Sequence, residues 1–183
     1  MSTSTAPVVS TWNIDPAHSV VEFKVKHMMI SNVKGKFTGI SGVLSLDESD
    51  ITKSHGTASV EVATINTSDE QRDTHVKSAE FFDVEKFPTI SLKSTKVTRK
   101  SEDTLVVNAD LTIRDITNNV EFLVEGPSAP GKDPWGNIRI GLEATAKISR
   151  KEFGLVWNVT LETGGVLVSD EVSLTLDVEL IKA

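Results

Sequence analysis

The residues best suited to chemistry fall within Asp69–His75, where Glu70, Arg72, Asp73 and His75 share one or two helical turns. A histidine oriented by a carboxylate can act as a general base. His75 with Asp73, joined by His27, would then serve an enzyme acting on an apolar substrate at a barrel mouth. The plainer reading is a capped, salt-bridged helix face. A third assigns Arg72 or Lys77 to a phosphate or quinone head group, because guanidinium forks suit such oxygens. His18, His27, His55 and His75 are too scattered for a recognised metal signature, and cysteine is absent. No metal site is therefore expected, and thiol chemistry is excluded. No phosphate loop, nucleophile elbow or dinucleotide fingerprint occurs.

Most of the chain that must position these residues reads as strand. Ile138, Ile140, Leu142, Ala144, Ala146 and Ile148 alternate with Arg139, Gly141, Glu143, Thr145 and Lys147. Successive side chains on a strand point to opposite faces, so this segment has one dry face and one wet face. Val172 to Leu180 repeats the pattern, as do Val21, Phe23 and Val25 against Glu22, Lys24 and Lys26. Gly35, Gly39 and Gly42 interrupt a long run from Val33 to Leu46 and mark bends or bulges. Leu105 to Ile113 and Val120 to Val124 form a hairpin through Asp115-Ile116-Thr117-Asn118.

One short α-helix is predicted near 68–79, opened by a capping-box pattern at Thr67-x-x-Glu70 or Ser68-x-x-Gln71. Phe81, Phe82 and Phe87 follow it as an aromatic plug or a lid, and Pro88 ends the segment. Arg150 to Gly165 takes no clear assignment beyond a short strand around Val156 to Leu161. About eight strands joined by short connections predict an all-β, antiparallel barrel, since closure removes exposed edges. A two-sheet sandwich would show the same periodicity. An eight-stranded barrel is just wide enough to be filled by side chains or to hold one small ligand.

Bulk properties narrow the classes. The 183 residues suit one domain over 12–183, preceded by a Ser/Thr-rich flexible arm over 1–11. The net charge of −7 argues against a nucleic-acid partner and against anionic membrane surfaces. No stretch approaches the roughly 20 apolar residues of a membrane-spanning helix. The N-terminus lacks a basic n-region and an apolar h-region, so no signal peptide is expected. A cytoplasmic location follows, or a periplasmic one if a signal was removed.

Several segments resemble the YceI-like family. They are Trp12-Asn13-Ile14-Asp15-Pro16-Ala17-His18-Ser19, Phe23-Lys24-Val25-Lys26-His27-Met28 and Gly35-Lys36-Phe37. Asp69-Glu70-Gln71-Arg72-Asp73-Thr74-His75 and Phe81-Phe82-Asp83-Val84-Glu85-Lys86-Phe87-Pro88 match most strongly. Leu111-Thr112-Ile113-Arg114-Asp115 and Arg150-Lys151-Glu152-Phe153-Gly154 also fit. The resemblance implies a lipocalin-like barrel that binds an isoprenoid, a quinone-type molecule or a fatty lipid, acting as a carrier or sequestering protein. No cofactor is required, and a homodimer is compatible.

Alternation alone favours a filled core over a tunnel; the resemblance favours the tunnel. The expected ligand-binding residues are Phe23, Val25, His27, Phe37, Arg72, Phe82, Leu111, Phe122, Ile140, Leu142 and Arg150. Arg150 either pairs with a helix carboxylate or faces the head group. The competing readings are the enzyme above and a solid barrel serving as an interaction or stress-response module. The solid barrel would expose an apolar patch elsewhere.

Overall fold

A computed structural model describes residues 6–183. Its strands are β1 (Val9–Ile14), β2 (Val20–His27), β3 (Ser31–Phe37), β4 (Ile40–Asp47), β5 (His55–Glu61) and β6 (Thr89–Arg99). They continue as β7 (Thr104–Ile113), β8 (Ile116–Glu125), β9 (Gly131–Lys132), β10 (Ile138–Ser149) and β11 (Val168–Lys182). The one α-helix among the described residues is α1 (Glu70–Lys77).

Eleven segments make eight barrel strands. β1 and β2 run one after the other along the same edge of β11. Trp12 pairs with Lys182 and Ile14 with Leu180, then Val20 with Asp177 and Val25 with Val172. Only a 3-10 turn at Pro16–His18 separates them, capped by the Asp15 carboxylate, which accepts from the Ala17 N–H at 3.0 Å. β3 and β4 follow beside β2 and β1 in the same way, broken at Thr38-Gly39. β5, β6, β7, β8 and β10 continue the order, every pair antiparallel, and β9 adds two residues beside β10. The ladder from Arg139↔Ile181 to Ser149↔Glu171 closes the barrel. The expected antiparallel barrel of about eight strands with one helix is the observed fold.

The two ends differ. At the lower end a cluster of Trp12, Ile140 and Leu180 is buried. Trp12 is only 1% exposed; its indole N–H donates to the Ser10 hydroxyl at 2.9 Å, and Lys182 lies 5.7 Å over its ring. The upper end carries the β2–β3 hairpin, the β5–β6 connection with α1, and the long β10–β11 connection.

Four local expectations need correction. Residues 1–5 of the proposed arm lie outside the described residues, but Val9–Thr11 are strand, because Val9 pairs with Asp47 and Thr11 with Ser45. The helix starts two residues late. Ser68 adopts a left-handed φ of 63°, which makes Asp69 the cap, its carboxylate accepting from the Arg72 N–H at 2.9 Å. The β7–β8 turn is tighter than read: Ile113 pairs directly with Ile116, and Arg114 takes a φ of 57°. Val156–Leu161 forms no strand, only a bridge between Thr160 and Val166.

Outside the barrel one guanidinium ties the strand junctions together. Arg139 of β10 donates to Asp15 at 2.6 Å, to Glu179 of β11 at 2.7 Å and to Asp133 at 2.7 Å. Asp15, His18 and Glu179 have the spacing of a cation site, and Arg139 supplies the positive charge to both carboxylates. The Arg139 guanidinium, helped by His18, pulls the Asp15 carboxyl down to about 2, and Arg139 also holds Asp133 well below the usual carboxylate range. A carboxylate whose folded pKa is depressed stabilises the fold above its unfolded value, roughly 3.9, and loses that contribution as pH falls through its folded value. Arg139→Gln should therefore lower the melting temperature at pH 7, and its gap to the natural protein should shrink between about pH 4 and pH 2. Thermal unfolding across that range checks this; a gap independent of pH would contradict it.

Candidate ligand-binding lumen

The inward side chains do not fill the barrel. An upper chamber of about 320 Å³ lies inside its upper half. Beneath it is a lower chamber of about 170 Å³. Both are lined by Ala58, Leu92, Phe122 and Leu176, which form the waist between them. The upper volume falls within the roughly 300–1,000 Å³ of small-ligand pockets. No carboxylate lines the upper chamber among the described residues.

Small residues on the inward face create this space. Ala58 sits at the waist, and Ala109 and Ala144 line the lower chamber. Gly35 serves a different purpose. A Cβ there would lie 2.2 Å from the ring of Phe23, so the missing side chain lets that ring lie flat over β3. Phe23 then meets Phe37 at 5.8 Å between centroids, and Phe37 meets Phe82 edge-on at 6.0 Å. One aromatic wall thus runs from β2 through β3 to the segment after α1.

Of the residues expected to bind ligand, Phe23, Val25, His27, Phe37, Arg72, Phe82, Leu111, Phe122 and Arg150 border the upper chamber. Leu142 borders the lower one. Ile140 borders neither. It shares the inward parity of Leu142 but sits nearer the bottom, in one buried cluster with Trp12 and Leu180. Alternation gives the face of the sheet and not the depth along it. Of the three clustered aromatics, Phe81 and Phe82 line the chamber, whereas Phe87 lies beneath the Arg114 guanidinium at 5.5 Å.

The polar groups around the mouth are arranged differently from expectation. Arg72 curls back along its own segment, Nε donating to the Thr67 hydroxyl at 2.9 Å and Nη2 to the Thr67 carbonyl at 2.8 Å. Nη1 has no hydrogen-bond partner among the described residues. Asp73 accepts from the Thr67 N–H at 2.8 Å and from its hydroxyl, so it does not orient His75. His75 pairs instead with Glu80. Its ring stands edge-on to Phe81 at 5.1 Å and to Trp157 at 4.8 Å. Lys77 borders neither chamber. Trp157 was not anticipated. The available signal was a tryptophan isolated in the one region with no strand periodicity.

Arg150 is a pin rather than a free head-group ligand. It is 3% exposed. Nε donates to the Ser169 carbonyl at 2.8 Å, Nη1 to the Leu155 and Trp157 carbonyls at 2.6 and 2.9 Å, and Nη2 to the Val168 carbonyl at 3.3 Å. Its nearest carboxylate, 3.7 Å away, is Asp170 of β11, not a helix residue. Burial pushes the guanidinium below its usual range, with Asp170 opposing. These bonds fold the β10–β11 connection over the chamber and hold Trp157 beside His75. Arg150→Met should cost about 2–4 kcal/mol, because several buried carbonyls lose their donor. It should also sensitise residues 154–167 to protease, and urea unfolding with limited proteolysis checks both. Gly35→Ala should displace the Phe23 ring and alter the chamber, visible as a changed Phe23 environment by NMR.

The comparisons with known proteins agree with this architecture. A YceI-like domain matches residues 12–180. A UPF0312 protein of Staphylococcus aureus strain N315 is 35% identical over 172 residues, spanning 93% of this chain and 97% of the relative. The crystal structure of a Campylobacter jejuni YCEI protein superposes with a TM-score of 0.73 at 26% identity, covering 87% of this chain and 91% of the other. A polyisoprenoid binding domain from Saccharophagus degradans, at 12% identity, shares the fold with a TM-score of 0.67 over 96% of this chain and all of the other. Family match, sequence relatives and barrel geometry converge, and the chain belongs to the YceI-like family.

Proposed function

We propose that the protein carries or sequesters a long-chain amphiphile, an isoprenoid or a similar lipid, with its tail in the lumen and its polar end at the upper mouth. The observation behind this reading is the pair of apolar chambers stacked inside one closed barrel. Transfer of each methylene from water contributes about 0.8 kcal/mol, so a tail of several isoprene units can offset the cost of association. A tail in such a lumen needs no polar partner along its length; only the head group does. At the mouth Arg72 Nη1 and His27 supply donors, and no carboxylate lines the chamber among the described residues, which suits an anionic or oxygen-rich head group. The polyisoprenoid binding of the Saccharophagus degradans domain, which shares the fold, fits the same ligand class.

The His75–Glu80 pair is the one feature that favours an enzyme. The pair sits at the rim in contact with water, at 37% and 57% exposure, where a base gains little from desolvation. We therefore read the pair as part of the rim, and the protein as a carrier that needs no resident cofactor.

Native mass spectrometry of gently purified protein, followed by solvent extraction, should recover an apolar molecule of defined mass. Repeated recovery of empty protein that also fails to take up prenyl ligands would overturn the reading. Ala58→Trp should obstruct the waist. A chain that reaches the lower chamber should then lose about 200-fold in affinity, the equivalent of roughly four excluded methylenes, while a chain short enough for the upper chamber should keep its affinity. Equal losses for both, accompanied by a lower melting temperature, would instead mark a general overpacking defect.

A further inference from the structure

The hairpin between β2 and β3 stands at the mouth and is built in an unusual way. His27 pairs with Ser31, and the Ile30 N–H closes the turn on the His27 carbonyl at 3.1 Å. Its two central residues, Met28 and Met29, adopt left-handed φ values of 52° and 61°. Such turns favour Asn and Gly, because a side chain there is strained. Here the strained positions carry methionines, and the next residue is isoleucine. Met28, Met29 and Ile30 are 41%, 55% and 80% exposed, so packing within the fold does not offset the strain. The patch extends beyond the turn. The Met28 N–H donates to the Leu167 carbonyl, and the Leu167 N–H to the carbonyl of Val159, which is itself exposed.

Below this tip the charge reverses. Lys24, Lys26, Lys34 and Lys36 are exposed on the outer face of the two strands, with Glu22 as the lone carboxylate of the hairpin. Lys24 stands directly opposite Lys34, a like-charge pairing that works against the sheet. None of the four lysines makes an ion pair among the described residues, and the adjacent β11 offers neutral Ser173 and Thr175 across from Lys24 and Glu22. In a chain of net charge −7 this is a local basic face under an apolar tip.

The geometry points to an anionic lipid surface as the partner of this hairpin, with Met28, Met29 and Ile30 inserted among the acyl chains and the lysines among the head groups. Apolar insertion and electrostatic attraction to acidic lipids are the two terms of interfacial binding, and the hairpin carries both on one element. This orientation sets the lumen mouth against the bilayer. Carboxylates farther from the docked hairpin than the screening length, about 8 Å at physiological salt, are largely screened from the lipid surface and oppose binding little. Trp135, 83% exposed at the opposite end, has no comparable basic face beside it and serves as an internal reference.

Flotation with ligand-free vesicles tests the inference independently of what occupies the lumen. The natural protein should float with vesicles of equal phosphatidylglycerol and phosphatidylcholine, weakly with phosphatidylcholine alone, and less as salt rises. The double variant Lys24→Gln, Lys34→Gln should lose about twentyfold in partitioning, about fivefold per lysine. Ile30→Ser should lose about tenfold or more. None of these side chains lines the lumen, so uptake of a solubilised prenyl ligand should be unchanged. The chain has no cysteine, so Met29→Cys and Ser101→Cys each accept one environment-sensitive fluorophore. The label at Met29→Cys should brighten on phosphatidylglycerol vesicles and that at Ser101→Cys should not. Failure of the natural protein to float, equal flotation of the variants, equal responses of the two labels, or a dimer dispersed by Ile30→Ser would each overturn the proposal.

Discussion

Closure of one antiparallel sheet by the β10–β11 ladder is the constraint on which everything else rests. A sheet with one apolar face must bury that face, and eight strands of this length do so by curling until the first meets the last. Once the ring is shut, its width is set by strand number and tilt, not by the side chains inside. The interior can then be under-filled without collapsing. Ala58, Ala109 and Ala144 leave space there, while Trp12, Ile140 and Leu180 close the bottom. Curling also requires close backbone approach. At Gly42 a Cβ would sit 2.3 Å from the Thr57 carbonyl oxygen, so only glycine lets β4 bend against β5.

The upper end is built from segments that are not part of the ring, and polar groups hold them. Thr67 is gripped by Arg72 and Asp73 from the first turns of α1. The β10–β11 connection is folded around the buried Arg150 guanidinium. A buried charge is costly unless its hydrogen-bonding capacity is met, and here backbone carbonyls meet it. The helix itself contributes no fully buried residue, so its place over the barrel depends on these anchors, on Val76 packed against the core, and on Phe81 and Phe82 behind it. Between the ring and this tethered cap lies the mouth of the upper chamber.

Charge is distributed to match. Carboxylates outnumber basic residues over the whole chain, yet none lines the upper chamber and one hairpin beside it is basic. On the opposite, outer face Arg139 gathers three carboxylates into a cluster that fastens the β1–β2 junction to β10 and β11. A net charge read from composition describes the far field of the molecule; recognition at contact distance depends on the few groups within a screening length.

The strands and their inward faces were legible in the sequence, because period-two alternation from Ile138 to Ile148 or from Val172 to Leu180 is a local property of each strand. The same holds for the helix and for the motifs that mark the family. A break inside the long run at Gly39 was legible too, but not β1, nor that β1–β2 and β3–β4 each act as one barrel strand, since that depends on shared partners far away in the chain. The fates of Ile140, Arg72, Asp73 and Arg150 were decided only in three dimensions. Parity told which way Ile140 points but not how deep it lies. A sequence shows that an arginine is present, not which carbonyls surround it once residues 150–169 fold back. Local periodicity determined the wall of this barrel, whereas long-range hydrogen bonding decided what was left open within it.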